Sequence, residues 1–449
     1  MIEGILIGLQ TALSFKNLMM VMIGCFSGTI IGMLPGLGPM TAIALMIPIT
    51  YGFDPSTGLI LMAGVYYGAV FGGSTSSILI NAPGVPGTVA TSFDGYPMAQ
   101  QGKAGKALAI AAYSSFAGGT ISAIFLLIAA PSLSLVSLSF RSPDYFGLMI
   151  LGLTAVAAFS SKGNFLKAMM MVVLGLMLAS VGQDTLSDIP RFTFDNMNLS
   201  DGISFVLVVM ATFAMSEALT IIFKANDPTK AAKQISLSQL GSIKLDKDET
   251  KKMVTTIPRS SVLGFIIGVL PGAGATIASF LAYGMERNFV NDEEKQKFGK
   301  GSVNGIAAPE TANNAACSGS FVPLLTLGIP GSGTTAVMLG ALLGFGIQPG
   351  PRLYQTNPEI FWSVIMSMYI GMVVLLILNL PLIPYIARVL ATPRTFLIPL
   401  ILFFSLTGVY LMSFNNFDIY MMIGIAVVAT VLRLYDFPMP PLILAFVLG

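Results

Sequence analysis

Of the 449 residues in the chain, 54% are hydrophobic and only 10% charged, well below the roughly 25% charge of a soluble domain, and mean hydropathy is +0.81. A formal net charge of +2 names no partner, and nucleic acid is not expected. The chain has no histidine, which removes the commonest proton shuttle, general base and metal ligand together.

Runs such as "GISFVLVVMATFAMSEALTIIF" (residues 202–223) reach the ~20 apolar residues that a bilayer crossing needs. The expected fold is therefore an all-α, polytopic integral membrane protein. A β-barrel would read instead as short alternating strands. The first residues, "MIEGILIGLQTALSFKN", carry an acid and no basic leader, so they read as a retained helix, interfacial or spanning. Apolar segments follow at about 17–51, 57–93, 105–139, 143–159, 165–182, 202–223, 259–285, 303–347, 360–390, 394–412 and 417–434. Gly/Pro breaks divide several of them, and the length criterion predicts roughly ten to fourteen membrane segments.

The first of these segments interrupts itself with "GTIIGMLPGLGP" (residues 28–39), and "GFIIGVLPGAGA" (residues 264–275) repeats the interruption with eight of the first eleven residues identical. "STSSILINAPGVPG" (residues 74–87) likewise recurs as "SGSFVPLLTLGIPG" (residues 318–331). The offset there is slightly larger, and the charged insertion after Glu286 absorbs the difference. An internal duplication follows, with residues 1–223 as a first membrane half and 259–449 as a second. The halves are expected to be inverted repeats. Between them lies the polar connector 224–258. The stretch 224–259 holds eight Lys/Arg and four Asp/Glu, so the positive-inside rule places the connector in the cytoplasm.

Proline removes a backbone donor and glycine permits the unwound conformations that follow. In hydrocarbon such a break survives only where protein or water covers it. It also exposes helix ends, whose amides face anions and whose freed carbonyls hold cations. Paired breaks in corresponding halves thus mark a transporter's binding site. Pro35, Gly36, Gly38, Pro271, Gly272 and Gly274 are the expected cation-binding backbone, with Na⁺ as the ion they would hold. Glu310 joins them, because a carboxylate at membrane depth is costly and defaults to function.

The expected substrate-binding residues are the hydroxyls, amides and loop residues around the second motif pair. In the first half they are Ser74, Thr75, Ser76, Asn81, Pro86, Gly87 and Thr88; in the second, Asn313, Asn314, Ser318, Pro330, Gly331, Ser332 and Thr334. The two loops should face each other across a carboxylate. Among the cations flanking these segments, Lys103, Lys106, Arg141 and Arg352, Arg352 is the one expected to reach the anion. Glu217, near Lys224, is a weaker acidic candidate. Gly175, outside the motifs, is expected to respond to added bulk by packing effects at most. Cys25 and Cys317 read as buried free thiols. There is no Walker A pattern, nucleophile elbow, paired-Cys site or HExxH.

The long runs "GTIIGMLPGLGPMTAIALMIPITYGFDPSTGLILMAGVYYGAVFGGSTSSILINAPGVPGTVATSFDGYPMAQQGKAGKAL" and "PETANNAACSGSFVPLLTLGIPGSGTTAVMLGAL" resemble the large membrane subunit of the tripartite tricarboxylate transporters, the TctA type. The similarity runs through nearly the whole chain. It implies a multi-pass subunit of a secondary transporter in the bacterial inner membrane, partnered by a small membrane subunit and a periplasmic solute-binding protein that delivers a carboxylate. Members of that family continue past the position of Gly449, so a further short helical segment and polar tail are expected. No cofactor is expected beyond Na⁺ or H⁺ as coupling ion, with Na⁺ favoured by the missing histidine. Two other readings remain open: an anion channel, which would need a continuous polar face, and an intramembrane enzyme around Cys317, which would lack a histidine to activate the thiol.

Overall fold

The computed structural model describes residues 2–34, 37–141, 165–184, 189–224, 241–386 and 394–449, with scattered positions between 143 and 154. In the first half the helices are α1 (Ile2–Ala12), α2 (Phe15–Met33), α3 (Gly38–Thr50), α4 (Pro55–Ile80), α5 (Val89–Met98) and α6 (Ala104–Ser137). After α7 (Phe165–Ala179), a two-residue strand pair, Gly182–Gln183 with Pro190–Arg191, precedes α8 (Phe205–Val209) and α9 (Ser216–Lys224). The second half contains α10 (Lys247–Val269), α11 (Gly274–Phe289), α12 (Val303–Gly319), α13 (Phe321–Leu327) and α14 (Gly333–Gly344). It closes with α15 (Pro358–Asn379), α16 (Arg394–Ser413), α17 (Asn416–Leu434) and α18 (Pro440–Leu448).

Six helical stretches among the described residues are long and apolar enough to cross a membrane, and shorter apolar helices such as Gly38–Thr50 and Gly333–Gly344 accompany them. The short ones are what the Pro-Gly breaks produce: the apolar run 17–51 is α2 and α3, and 303–347 is α12, α13 and α14.

Both breaks have one local cause. The residue before a proline is pushed out of the helical region. Leu34, before Pro35, has φ −80° and ψ 116°, and Leu270, before Pro271, has φ −74° and ψ 121°. In each case the leucine amide reaches back three residues, to Ile31 O (3.1 Å) or Ile267 O (3.2 Å). Each chain then re-enters a helix through a left-handed glycine, Gly38 at φ 64° or Gly274 at φ 62°. Pro35 and Gly36, expected in the cation site, lie outside the described residues.

The two halves also pack alike. Gly24, Gly28 and Gly32 of α2 lie against the backbone of α4 at Leu61, Val65 and Ala69, and Gly64, Gly68 and Gly72 of α4 return the contact. Gly264 and Gly268 of α10 lie against the α12 backbone at Ala312 and Ala316. Small residues at four-residue spacing let membrane helices approach closely, so dispersion and interhelical contact replace the missing hydrophobic drive. At the centre, α4 and α12 are almost wholly buried.

A capping box starts α10 at Asp246: Glu249 N donates to Asp246 Oδ1 (2.8 Å) and Asp246 N to Glu249 Oε2 (2.9 Å). Pro258 is therefore inside a helix, and the last part of the charged stretch is that helix's first turns. Residues 225–240 of the connector lie outside the described residues.

Candidate functional site

The carboxylate of Glu310, on α12, is fully buried where the halves meet. Three hydroxyls of the first half donate to it: Ser74 of α4 to Oε2 (2.7 Å), Ser115 of α6 to Oε2 (2.8 Å) and Thr91 of α5 to Oε1 (2.5 Å). Among the described residues no cationic side chain pairs with it. A hollow of about 10 Å³, room for a single water, is lined by Ser74, Thr75, Ser115 and Asn379. Asn379 Oδ1 is buried there without a partner.

One turn along α12, Asn313 is buried with both side-chain polar atoms unpartnered, and Asn314 Oδ1 is likewise unpartnered. Asn314 Nδ2 donates to Glu310 O (3.0 Å). An orphaned buried amide costs about 1–3 kcal/mol, so two side by side call for an explanation such as a ligand or water. Gly87 sits directly against Asn313, and a Cβ on that glycine would collide with Asn313 Oδ1.

The two motif loops are built alike. α4 ends in left-handed Asn81 and α13 in left-handed Gly328. Thr88 Oγ1 donates to Val85 O (2.9 Å) and lies 2.7 Å from Ser77 Oγ, closing the first loop onto α4. The second loop begins α14 with a capping box, in which Thr335 N donates to Ser332 Oγ (3.2 Å) and Ser332 N to Thr335 Oγ1 (2.8 Å). Tyr66 of α4 holds its hydroxyl 3.4 Å from Ser332 Oγ, and Tyr67 donates to Ser318 Oγ (3.0 Å). The second loop is also latched to the second break, because Gly272 N donates to Gly331 O (3.1 Å). At Gly331 an added Cβ would stand 2.8 Å from Ser320 Cα.

The remaining expected residues divide. Ser76 Oγ donates to Gly73 O (3.1 Å) in its own helix, while Pro330 and Thr334 are buried beside the second loop. Asn81 and Pro86 are exposed, and so is Arg352, at the start of the turn Leu353–Thr356. Among the described residues no hydrogen bond joins Glu310 to Gly38, Pro271, Gly272 or Gly274. Lys106 pairs with Glu249 (2.8 Å), at the start of α10. Cys25 and Cys317 are free and buried. Gly175 is not a neutral position: a Cβ there would strike Leu442 O of α18.

Several participants escaped the sequence reading. Thr91 and Ser115 are single hydroxyls in small-residue helices with no pattern around them. Asp94, in "TSFDGYP", accepts from Gly301 N (2.9 Å), Ser302 N (2.7 Å) and Tyr283 OH (2.9 Å), so α5 of the first half caps the start of α12. A buried acid in an apolar segment was the available signal. Arg433, in the last turn of α17, ion-pairs with Glu217. The pair lines a cavity of about 560 Å³ whose other walls are the first break (residues 37–41), the first loop (83–86 and Val89), Phe213 and residues 437–440.

The buried helices and the long apolar helical stretches are those of a multi-pass, all-α membrane protein. The chain belongs to the tripartite tricarboxylate transporter TctA family, whose description matches residues 18–444. Over all 449 residues it is 42% identical to an "uncharacterized 52.8 kDa protein in TAR-I ttuC' 3'region" of Agrobacterium vitis, covering 88% of that protein. A second Agrobacterium vitis protein, "in TAR-II ttuC' 3'region", is 44% identical over 186 residues, which is 41% of this chain and 76% of that protein. No solved structure matches.

Proposed function

We propose that this chain is the translocating subunit of a secondary active importer for a tricarboxylate or related organic carboxylate in the bacterial inner membrane. An ion gradient drives it, Na⁺ rather than H⁺. A periplasmic binding protein delivers the substrate, and a small membrane subunit completes the complex. The two halves are inverted repeats that move against each other around α4 and α12.

The observation that carries this reading is the Glu310 centre. Three hydroxyls from three helices of one half converge on a buried acid of the other, with unpartnered amide atoms of Asn313 and Asn314 alongside. Hydroxyl, amide and carboxylate oxygens are the ligand chemistry of a hard monovalent cation, and a water-sized hollow lined by Ser74, Thr75, Ser115 and Asn379 lies on the far side of the Ser74 and Ser115 hydroxyls that bind Glu310. Binding or release of that cation changes the charge balance at the seam between the halves, which is what ion coupling requires.

Uptake of labelled citrate, succinate and malate into cells carrying the whole system tests the proposal, in Na⁺ buffer and in Na⁺-free buffer at constant pH and membrane potential. The expected result is saturable uptake that needs the binding protein and rises with external Na⁺. Equal uptake without Na⁺ overturns Na⁺ coupling in favour of H⁺. Non-saturating flux that follows the substrate gradient alone overturns the transporter in favour of a channel.

A further inference from the structure

The cavity beside the first break holds charge that the Glu310 centre does not use. Five of its lining residues, Pro39, Pro83, Pro86, Pro438 and Pro440, are prolines and offer no N–H. Arg433 is the basic side chain on its walls, and Glu217 the acidic one. The arginine is held by a defect in the neighbouring helix. Residues Met210–Met215 form a π-turn between α8 and α9, in which Ser216 N donates to Ala211 O instead of to Thr212 O. That releases the Thr212 carbonyl from its backbone partner, and Ser216 Oγ (2.5 Å) and Arg433 Nη2 (2.9 Å) donate to it instead. Phe213 lies under the guanidinium at 5.8 Å. Nη1 donates to Glu217, and Nε is buried without a partner.

We propose that this cavity is an anion vestibule in which Arg433 takes one carboxylate of a small organic di- or tricarboxylate, in place of the Glu217 carboxylate it holds in this conformation. A guanidinium stays charged and presents a planar fork that matches a carboxylate. Glu217 is itself a carboxylate, so it occupies the guanidinium as an internal competitor and shows which ligand chemistry fits. The pair is only partly buried, and such ion pairs contribute little net stability, whereas ionisable groups at membrane depth mark substrate paths. The volume of about 560 Å³ falls within the roughly 300–1,000 Å³ of small-molecule sites. The vestibule touches the transport machinery directly, because its walls are the first break and the first loop. A Cβ on Gly333, at the start of α14, would stand 2.9 Å from Met40 Sδ and 3.0 Å from Pro440 Cβ, so the second half abuts it too. Glu217 lies just ahead of the basic stretch 224–259, and if the positive-inside rule holds that stretch in the cytoplasm, the vestibule is on the inward-facing leg of the path.

This inference rests on the carboxylate-transport reading above, and the test separates the two. Binding of citrate and succinate to the purified chain is measured by calorimetry for wild type, Arg433→Gln, Glu217→Gln and the double variant, and uptake is measured in parallel. Arg433→Gln should weaken binding at least about tenfold, equivalent to 1.4 kcal/mol. Glu217→Gln should tighten it severalfold, because the competitor is gone. A merely structural pair would give losses of similar size in both single variants and recovery in the double variant, and that result overturns the vestibule. A second readout uses Val89→Cys with a negatively charged methanethiosulfonate, since Cys25 and Cys317 are buried. Citrate should slow labelling severalfold, and unchanged labelling in protein that still imports citrate also overturns the proposal. If wild type neither binds nor imports any carboxylate, the transport reading falls with it. If wild type imports citrate and Arg433→Gln does so with unchanged KM, only the vestibule falls.

Discussion

Leu34 and Leu270 leave their helices with dihedral angles a few degrees apart, and Gly38 and Gly274 restart them at φ 64° and 62°. What lies beyond the two breaks differs. The first faces a cavity of about 560 Å³ shared with the Glu217–Arg433 pair. The second is tied down, with Gly272 N donating to Gly331 O of the second loop (3.1 Å). Among the described residues the motif thus lies in two settings, the first beside a cavity and the second bonded to its loop; Gly36, the counterpart of Gly272, lies outside those residues. Inverted repeats that alternate between two faces of a membrane would exchange these settings, and the structure would then be one end of the cycle.

The largest expected effect lies between the two breaks, at the acid both halves share. Glu310→Ala leaves the hydroxyls of Ser74, Thr91 and Ser115 without their acceptor, at about 1–3 kcal/mol for each buried orphan. Glu310→Gln keeps the shape and an acceptor oxygen but removes the ionisable group. Uptake should disappear in both, while thermal denaturation shows a large loss for alanine and a small one for glutamine. Wild-type transport by Glu310→Gln would remove the acid from the coupling mechanism.

Loop substitutions sharpen the comparison next. Gly87→Val drives a side chain into Asn313, and Gly331→Val into Ser320. Both should abolish uptake while the protein still reaches the membrane. Gly424→Val is the control, because a Cβ there has open space around it. If only Gly87→Val abolishes transport, the two loops are functionally unequal, and the first break alone serves the substrate.

A smaller effect should separate the breaks by access. Met40 lines the cavity, and Thr276 is its counterpart in the second half. Met40→Cys should react with an anionic thiol reagent about tenfold faster than Thr276→Cys, a 1.4 kcal/mol difference in access. Equal rates would show that both settings are open. The smallest effect belongs to the restarting glycines. Gly38→Ala and Gly274→Ala should each cost about 1–2 kcal/mol through the left-handed conformation alone, read as matching losses in denaturation midpoint. Unequal losses would mean that the two backbones only look alike.

Much of this architecture is local and was therefore legible. Apolar runs dictate helices, proline dictates where Leu34 and Leu270 must leave them, and glycine spacing dictates which helix faces meet. Glu310 stood out because a carboxylate in an apolar segment is expensive, and the loops stood out because their motif occurs twice. Two of the partners of Glu310 did not stand out. Thr91 and Ser115 are ordinary hydroxyls on two helices, and nothing in a one-dimensional pattern says that they converge with Ser74 on one carboxylate. The same holds for Arg433, which lies more than two hundred residues from Glu217 and Thr212. Its role depends on a π-turn that frees one carbonyl and on two helices brought side by side. Arg352 makes the converse case: next to a motif in sequence, it lies exposed in the fold. The sequence by itself determined the helices, the positions of their breaks, the repeated motifs and the family, because these follow from backbone sterics, transfer energy and residue identity along the chain. Which polar groups share a site, and which segments wall the cavity beside the first break, were decided only by tertiary packing, because a hydrogen bond or an ion pair depends on ångström distances between segments that the chain keeps far apart.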